Sequence, residues 1–147
     1  MKIIIIAALS TILFCGGVSA SDINIFPINF QQGMPSAQDN FKDSVNASWD
    51  TYLDLLRINA SLLISLHSKY RFKIVGLTDD QECRGSGCTE LSLRRAQYVQ
   101  KWLLDNGVPL DELDPPEGHG TDISLESNDT PVGRERNRRV EINFVLP

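Results

Sequence analysis

The chain has 147 residues, 41% of them hydrophobic and 22% charged, a balance that supports one globular core and leaves little room for a second. Its formal net charge is −5, from 19 acidic against 14 basic side chains. That excludes a general nucleic-acid binder, which needs a basic face for phosphates, and argues against adhesion to anionic lipid heads.

The N-terminus reads as an export signal. Met1-Lys2 supplies a positive start, Ile3 to Phe14 a short apolar run, and Val18-Ser19-Ala20 a small-x-small ending. Together they predict a signal peptide over residues 1–20, cleaved after Ala20, and a single domain over 21–147. The apolar run is too short for a membrane span, and no later stretch stays apolar for about 18 residues. Phe14 is too large for the position before a lipidated cysteine, so Cys15 reads as part of the signal.

Beyond the signal, residues 23–30 alternate well enough for a first strand, with Pro27 marking an edge, a bulge or the true start of pairing. Residues 31–46 read as a loop. From about Ser48 to His67, Trp49, Tyr52, Leu53, Leu56, Ala60 and Leu63 recur at helical spacing and predict an amphipathic helix. Residues 71–77 form a second strand, with Phe72 and Ile74 on one face, and Gly76 lets the backbone turn toward Thr78-Asp79.

The segment Cys83-Arg84-Gly85-Ser86-Gly87-Cys88 can curl back on itself, and in an oxidising compartment a Cys83–Cys88 disulfide is its natural reading. Free thiols and half of a metal site are the alternatives. Zinc would need two more ligands, and the only histidines, His67 and His119, lie far off in sequence, so no metal is expected. A second helix follows over 90–106, with Thr89 as its cap and Ala96, Val99, Trp102 and Leu103 as its apolar stripe. Gly107 and Pro109 end it. Residues 110–133 are irregular, with one short strand near Leu113; Arg134 to Arg139 suggest a turn of helix, and 140–144 a closing strand. The order β-α-β-α-(β)-β predicts an α/β sandwich with two main helices packed on one sheet face.

Three of these segments, taken together, resemble a known family. Gly76-Leu77-Thr78-Asp79, then Leu91-Ser92-Leu93-Arg94-Arg95-Ala96, then Asn137-Arg138-Arg139-Val140-Glu141-Ile142 are similar to the OmpA-like C-terminal domain. There a strand ends in Gly-His-Thr-Asp, a helix carries Leu-Ser-x-x-Arg-Ala, and a strand closes the sheet. The clear resemblance spans roughly residues 72–145. It implies the family's β-α-β-α-β sandwich with a mixed sheet, and non-covalent binding of bacterial peptidoglycan through the diaminopimelate of the stem peptide.

Carried over position by position, Asp79 would receive the ligand's ammonium and Arg95 its carboxylate, with Arg138 as a further contributor. Asp80 competes with Asp79 because the loop is one residue longer than the family's. Leu77 stands for the usual histidine, and Cys88 for an asparagine that orders the family's site. The chemistry is sound by itself: the outer amino-acid centre of diaminopimelate is a zwitterion, and a planar guanidinium fork suits a carboxylate. On this reading Asp79→Ala and Arg95→Ala would fold and lose wall retention.

Two other readings stand beside it. One is a wall-anchoring subunit of an envelope assembly such as a secretion or motor complex, with an envelope protein as partner. The other is a small periplasmic wall hydrolase, for which no nucleophile with a positioned base is found in the sequence. The expectation is therefore a non-enzymatic, cofactor-free binder, exported to the periplasm, with association with the outer membrane left open.

Overall fold

A computed structural model describes residues 25–145; the predicted signal peptide and Cys15 lie outside them. The elements in chain order are β1 (Ile28–Asn29), α1 (Phe41–Ser44), α2 (Trp49–Ser65), β2 (Arg71–Gly76), α3 (Ser86–Asp105), a 3-10 turn (Leu110–Glu112), β3 (Glu117–Gly118), α4 (Pro131–Asn137) and β4 (Arg139–Val145). The strands form one mixed sheet in the order β1-β4-β2-β3, parallel only between β2 and β3.

The core is the sum of the apolar stripes. Tyr52, Leu56, Ala60 and Leu63 of α2 and Ala96, Val99 and Leu103 of α3 bury against Phe72, Ile74, Val140 and Ile142 of the sheet. Both main helices therefore cover one sheet face. Ser48 opens α2 by accepting the backbone N–H of Thr51 at 3.3 Å. Gly107, at φ +93°, closes α3 in the left-handed position expected of it.

The first strand is shorter than the alternation predicts. Pairing covers Ile28–Asn29, with Phe30 bridging Val45, because Pro27 has no N–H to donate and the ladder starts after it. Leu113 makes a single bridge to Phe72, and the short strand forms at Glu117–Gly118, past Pro115 and Pro116, which lack donors. Helix α3 begins at Ser86, not after Thr89. Gly85 takes φ +53°, and Gly87 and Cys88 donate to Arg84 and Gly85, so the cysteine loop already winds into the first turn.

Two glycines set how α3 lies on the sheet. They face each other in the β2–β3 register. A Cβ on Gly76 would sit 1.8 Å from the Ser92 carbonyl oxygen, and one on Gly118 2.3 Å from that of Thr89. The helix backbone thus rests directly on the end of β2. This contact decides where the middle of α3, including Arg95, lies relative to the residues that leave β2.

Candidate functional site

As the chain leaves β2 it is held at each step. Leu77 donates to the Arg139 carbonyl at 2.8 Å and Thr78 to that of Gly120 at 2.8 Å. The next residue, Asp79, has no exposed surface. Its Oδ1 accepts the backbone N–H groups of Gln81 (2.7 Å) and Glu82 (2.9 Å), which folds the loop around the carboxylate. Its Oδ2 accepts Nη1 of Arg138 at 2.7 Å. Arg138 caps α4, one residue before β4, and its Nε donates to the Phe30 carbonyl at 3.1 Å. It reaches the site from the turn between α4 and β4.

Asp80 is exposed, whereas Asp79 sits inside a charge cluster. Arg95 lies in the middle of α3, since the helix starts at Ser86, and it too is fully buried. All five of its N–H donors are engaged. Nε donates to Met34 O (2.8 Å), Nη1 to Leu77 O (2.9 Å) and Glu82 Oε1 (2.7 Å), and Nη2 to Gln31 O (3.2 Å) and Glu82 Oε2 (2.7 Å). Phe30 lies under the guanidinium, 5.3 Å from its centre.

Glu82 is the residue that the sequence reading missed. Its side chain has no accessible surface, although its backbone is partly exposed. The only signal in the sequence was an acidic residue between Asp79-Asp80 and Cys83, a segment where two other carboxylates already competed for the acidic role. Four side chains therefore meet at the end of β2: Arg138 with Asp79, and Glu82 with Arg95. The Asp79 N–H joins the two pairs by donating to Glu82 Oε1 at 3.2 Å. Their formal charges cancel, which is what lets the cluster be buried. The hydroxyl of Thr78, buried beside them, has no hydrogen-bond partner.

Cys83 and Cys88 form a disulfide, with Cα atoms 5.0 Å apart, that ties the residue after Glu82 to the first turn of α3. Of the remaining arginines noted in the sequence, Arg136 pairs with Glu126 and Arg139 with Glu141. His119 follows β3 and shares Glu117 with Lys73, at 2.7 and 2.9 Å respectively. The Glu117 carboxyl is held below its ordinary range, first by the Lys73 hydrogen bond and then by that of His119. Among the described residues no cluster of His, Cys, Asp and Glu could hold a metal, and no helix is long and apolar enough to cross a membrane.

The model of the OmpA family matches residues 42–138. The chain belongs to the OmpA family. Among solved structures it is similar to the C-terminal domain of Helicobacter pylori MotB, at 28% identity and a TM-score of 0.66, over 84% of this chain and 87% of that one. The cell wall anchor of the T6SS from Pseudomonas aeruginosa shares 26% identity at a TM-score of 0.56, covering 75% of this chain and 73% of its own. The peptidoglycan-associated lipoprotein from Burkholderia pseudomallei, at 23% identity and a TM-score of 0.63, covers 81% and 89% and shares the fold. No curated protein sequence matches the chain. Within the OmpA domain of this chain, the matched span includes all four members of the buried charge cluster.

Proposed function

We infer that this protein is exported and binds bacterial peptidoglycan without covalent chemistry, in the space between the outer membrane and the wall. The carrying observation is the burial of Asp79 and Arg95 at one end of an OmpA-family sheet, with the partly exposed Arg138 bonded to Asp79. Diaminopimelate is the proposed ligand: its free amino-acid centre needs one fixed anion and one fixed guanidinium. Asp79 would take the ammonium and Arg95 the carboxylate, with Arg138 orienting Asp79. Two or three charge-assisted contacts of about 1.5–3 kcal/mol each give micromolar to millimolar affinity for one stem peptide. A wall offering many copies makes such a site effective.

The likeness to a T6SS wall anchor supports a second reading, in which the domain fastens an envelope assembly to the wall. Partners would then dock on the domain itself, and pulldown from envelope extracts would recover them where purified sacculi alone do not. The primary test is co-sedimentation with purified sacculi, in competition with free meso-diaminopimelate. Retention that the free amino acid reverses, and that Asp79→Asn loses while staying folded, supports the reading. A protein that stays in the supernatant rejects it, and release of muropeptides would instead make it a hydrolase.

A further inference from the structure

The environment of Glu82 is that of a bound carboxylate. Four donors converge on its two oxygens. Oε1 receives Arg95 Nη1 (2.7 Å) and the Asp79 N–H (3.2 Å), and Oε2 receives Arg95 Nη2 (2.7 Å) and the Gly33 N–H (2.8 Å). A guanidinium fork joined by two backbone amides is a complete receptor for a planar anion. The Asp79 carboxylate follows three residues before it, held by backbone amides and by Arg138. An acceptor for an ammonium therefore adjoins a receptor for a carboxylate.

Arg95 has no donor left for an outside ligand. Three of its five bonds go to main-chain carbonyls at Gln31, Met34 and Leu77, which move only if the backbone moves. Only the two bonds to Glu82 go to a side chain, and that side chain stands on the loop between β2 and α3. Glu82 is thus the one partner of Arg95 that side-chain rotation alone can exchange, without moving backbone.

We propose that Glu82 is an internal ligand: it fills an exchangeable carboxylate site on Arg95, and an incoming carboxylate must displace it. The identity of the outside occupant rests on the wall-binding reading above, under which it is the carboxylate of stem-peptide diaminopimelate. The internal carboxylate lowers apparent affinity by the fraction of molecules in which it is seated. Glu82 is a positioning residue that sets how readily the site opens.

The test uses the purified protein and its Glu82→Ala variant, with two readouts. In thermal melts, sodium acetate against matched chloride is expected to raise the melting temperature of the variant and leave the wild type unmoved, because acetate enters the vacated receptor. In sacculus co-sedimentation, the variant is expected to bind on the order of tenfold more tightly than wild type. Should Glu82→Ala not fold, Glu82→Gln, which keeps the volume and loses the charge, carries the same retention prediction. A folded variant with retention equal to or below wild type overturns the proposal and leaves the wall reading standing. Absence of any acetate effect on folded Glu82→Ala also overturns it. If acetate stabilises the variant but neither protein pellets, the exchangeable carboxylate site is supported and the peptidoglycan reading falls.

Discussion

Arg95 and Glu82 face each other through two parallel 2.7 Å hydrogen bonds, with neither side chain exposed. A pair taken wholly out of water tolerates the loss of one partner badly, because the survivor keeps its charge and loses its compensation. Arg95→Ala is expected to lower the unfolding free energy by about 3–5 kcal/mol, read by urea titration. This replaces the expectation from sequence that the variant folds normally. A loss below about 1 kcal/mol would mean that the pair does not form in solution. Arg95→Ala is therefore a poor probe of binding, and Asp79→Asn is the better one.

The Cys83–Cys88 bridge closes a loop of a few residues, and its chief effect is on the unfolded chain. For so short a loop, chain-entropy reasoning gives about 2 kcal/mol. The Cys83→Ser/Cys88→Ser double variant is expected to lose about that much stability. It is also expected to show faster amide exchange over Gln81 and Glu82, whose N–H groups bond Asp79. Unchanged exchange there would show that the loop is ordered without the bridge.

Gly76→Ala tests the seating of α3 on β2. The added Cβ would lie 1.8 Å from the Ser92 carbonyl oxygen, and that atom belongs to helix backbone, which cannot rotate aside. The variant is expected to be largely unfolded at room temperature by circular dichroism. Gly87→Ala, whose Cβ meets nothing within 4 Å, is expected to fold as the wild type does.

Glu117 provides a pH-dependent element at the sheet edge. Its folded pKa is lowered by Lys73 and then His119, so its contribution to stability is present above the ordinary glutamate value, about 4.3. It is lost as pH falls through the lowered folded value. Lys73 is shifted the other way, raised chiefly by its hydrogen bond to Glu117; its contribution is present below the ordinary lysine value and lost as pH rises through the raised one. Both side chains are 38% exposed, so solvent screens the pair and the effect on stability is small. The direct measurement is the NMR titration of Glu117, which is expected to move toward the ordinary value in Lys73→Met. A midpoint that stays put would show that the ion pair is not populated.

Much of the fold was legible in the chain because its signals are local. The stripe from Trp49 to Leu63, the stop at Gly107 and the alternation around Val140 and Ile142 each need only near neighbours to act. Boundaries failed where a distant contact or a missing donor decided them. Pro27 delayed the first strand, the two prolines at 115 and 116 moved the short strand to Glu117, and the cysteine loop carried α3 back to Ser86. Of the candidate site residues, Asp79 is buried in the cluster and Asp80 is exposed, a difference that adjacent identical side chains cannot announce.

Residue order by itself determined that an aspartate leaving β2, an arginine on α3 and an arginine before β4 would be present, on elements whose types their own periodicity dictates. Only the tertiary structure decided what each of those charges touches. Burial removes water as a partner, so every donor of Arg95 had to find a protein acceptor, and the nearest replaceable one was Glu82. Electrostatic pairing in a dry interior depends on distances between elements, and those are set by how closely α3 can lie on Gly76 and Gly118.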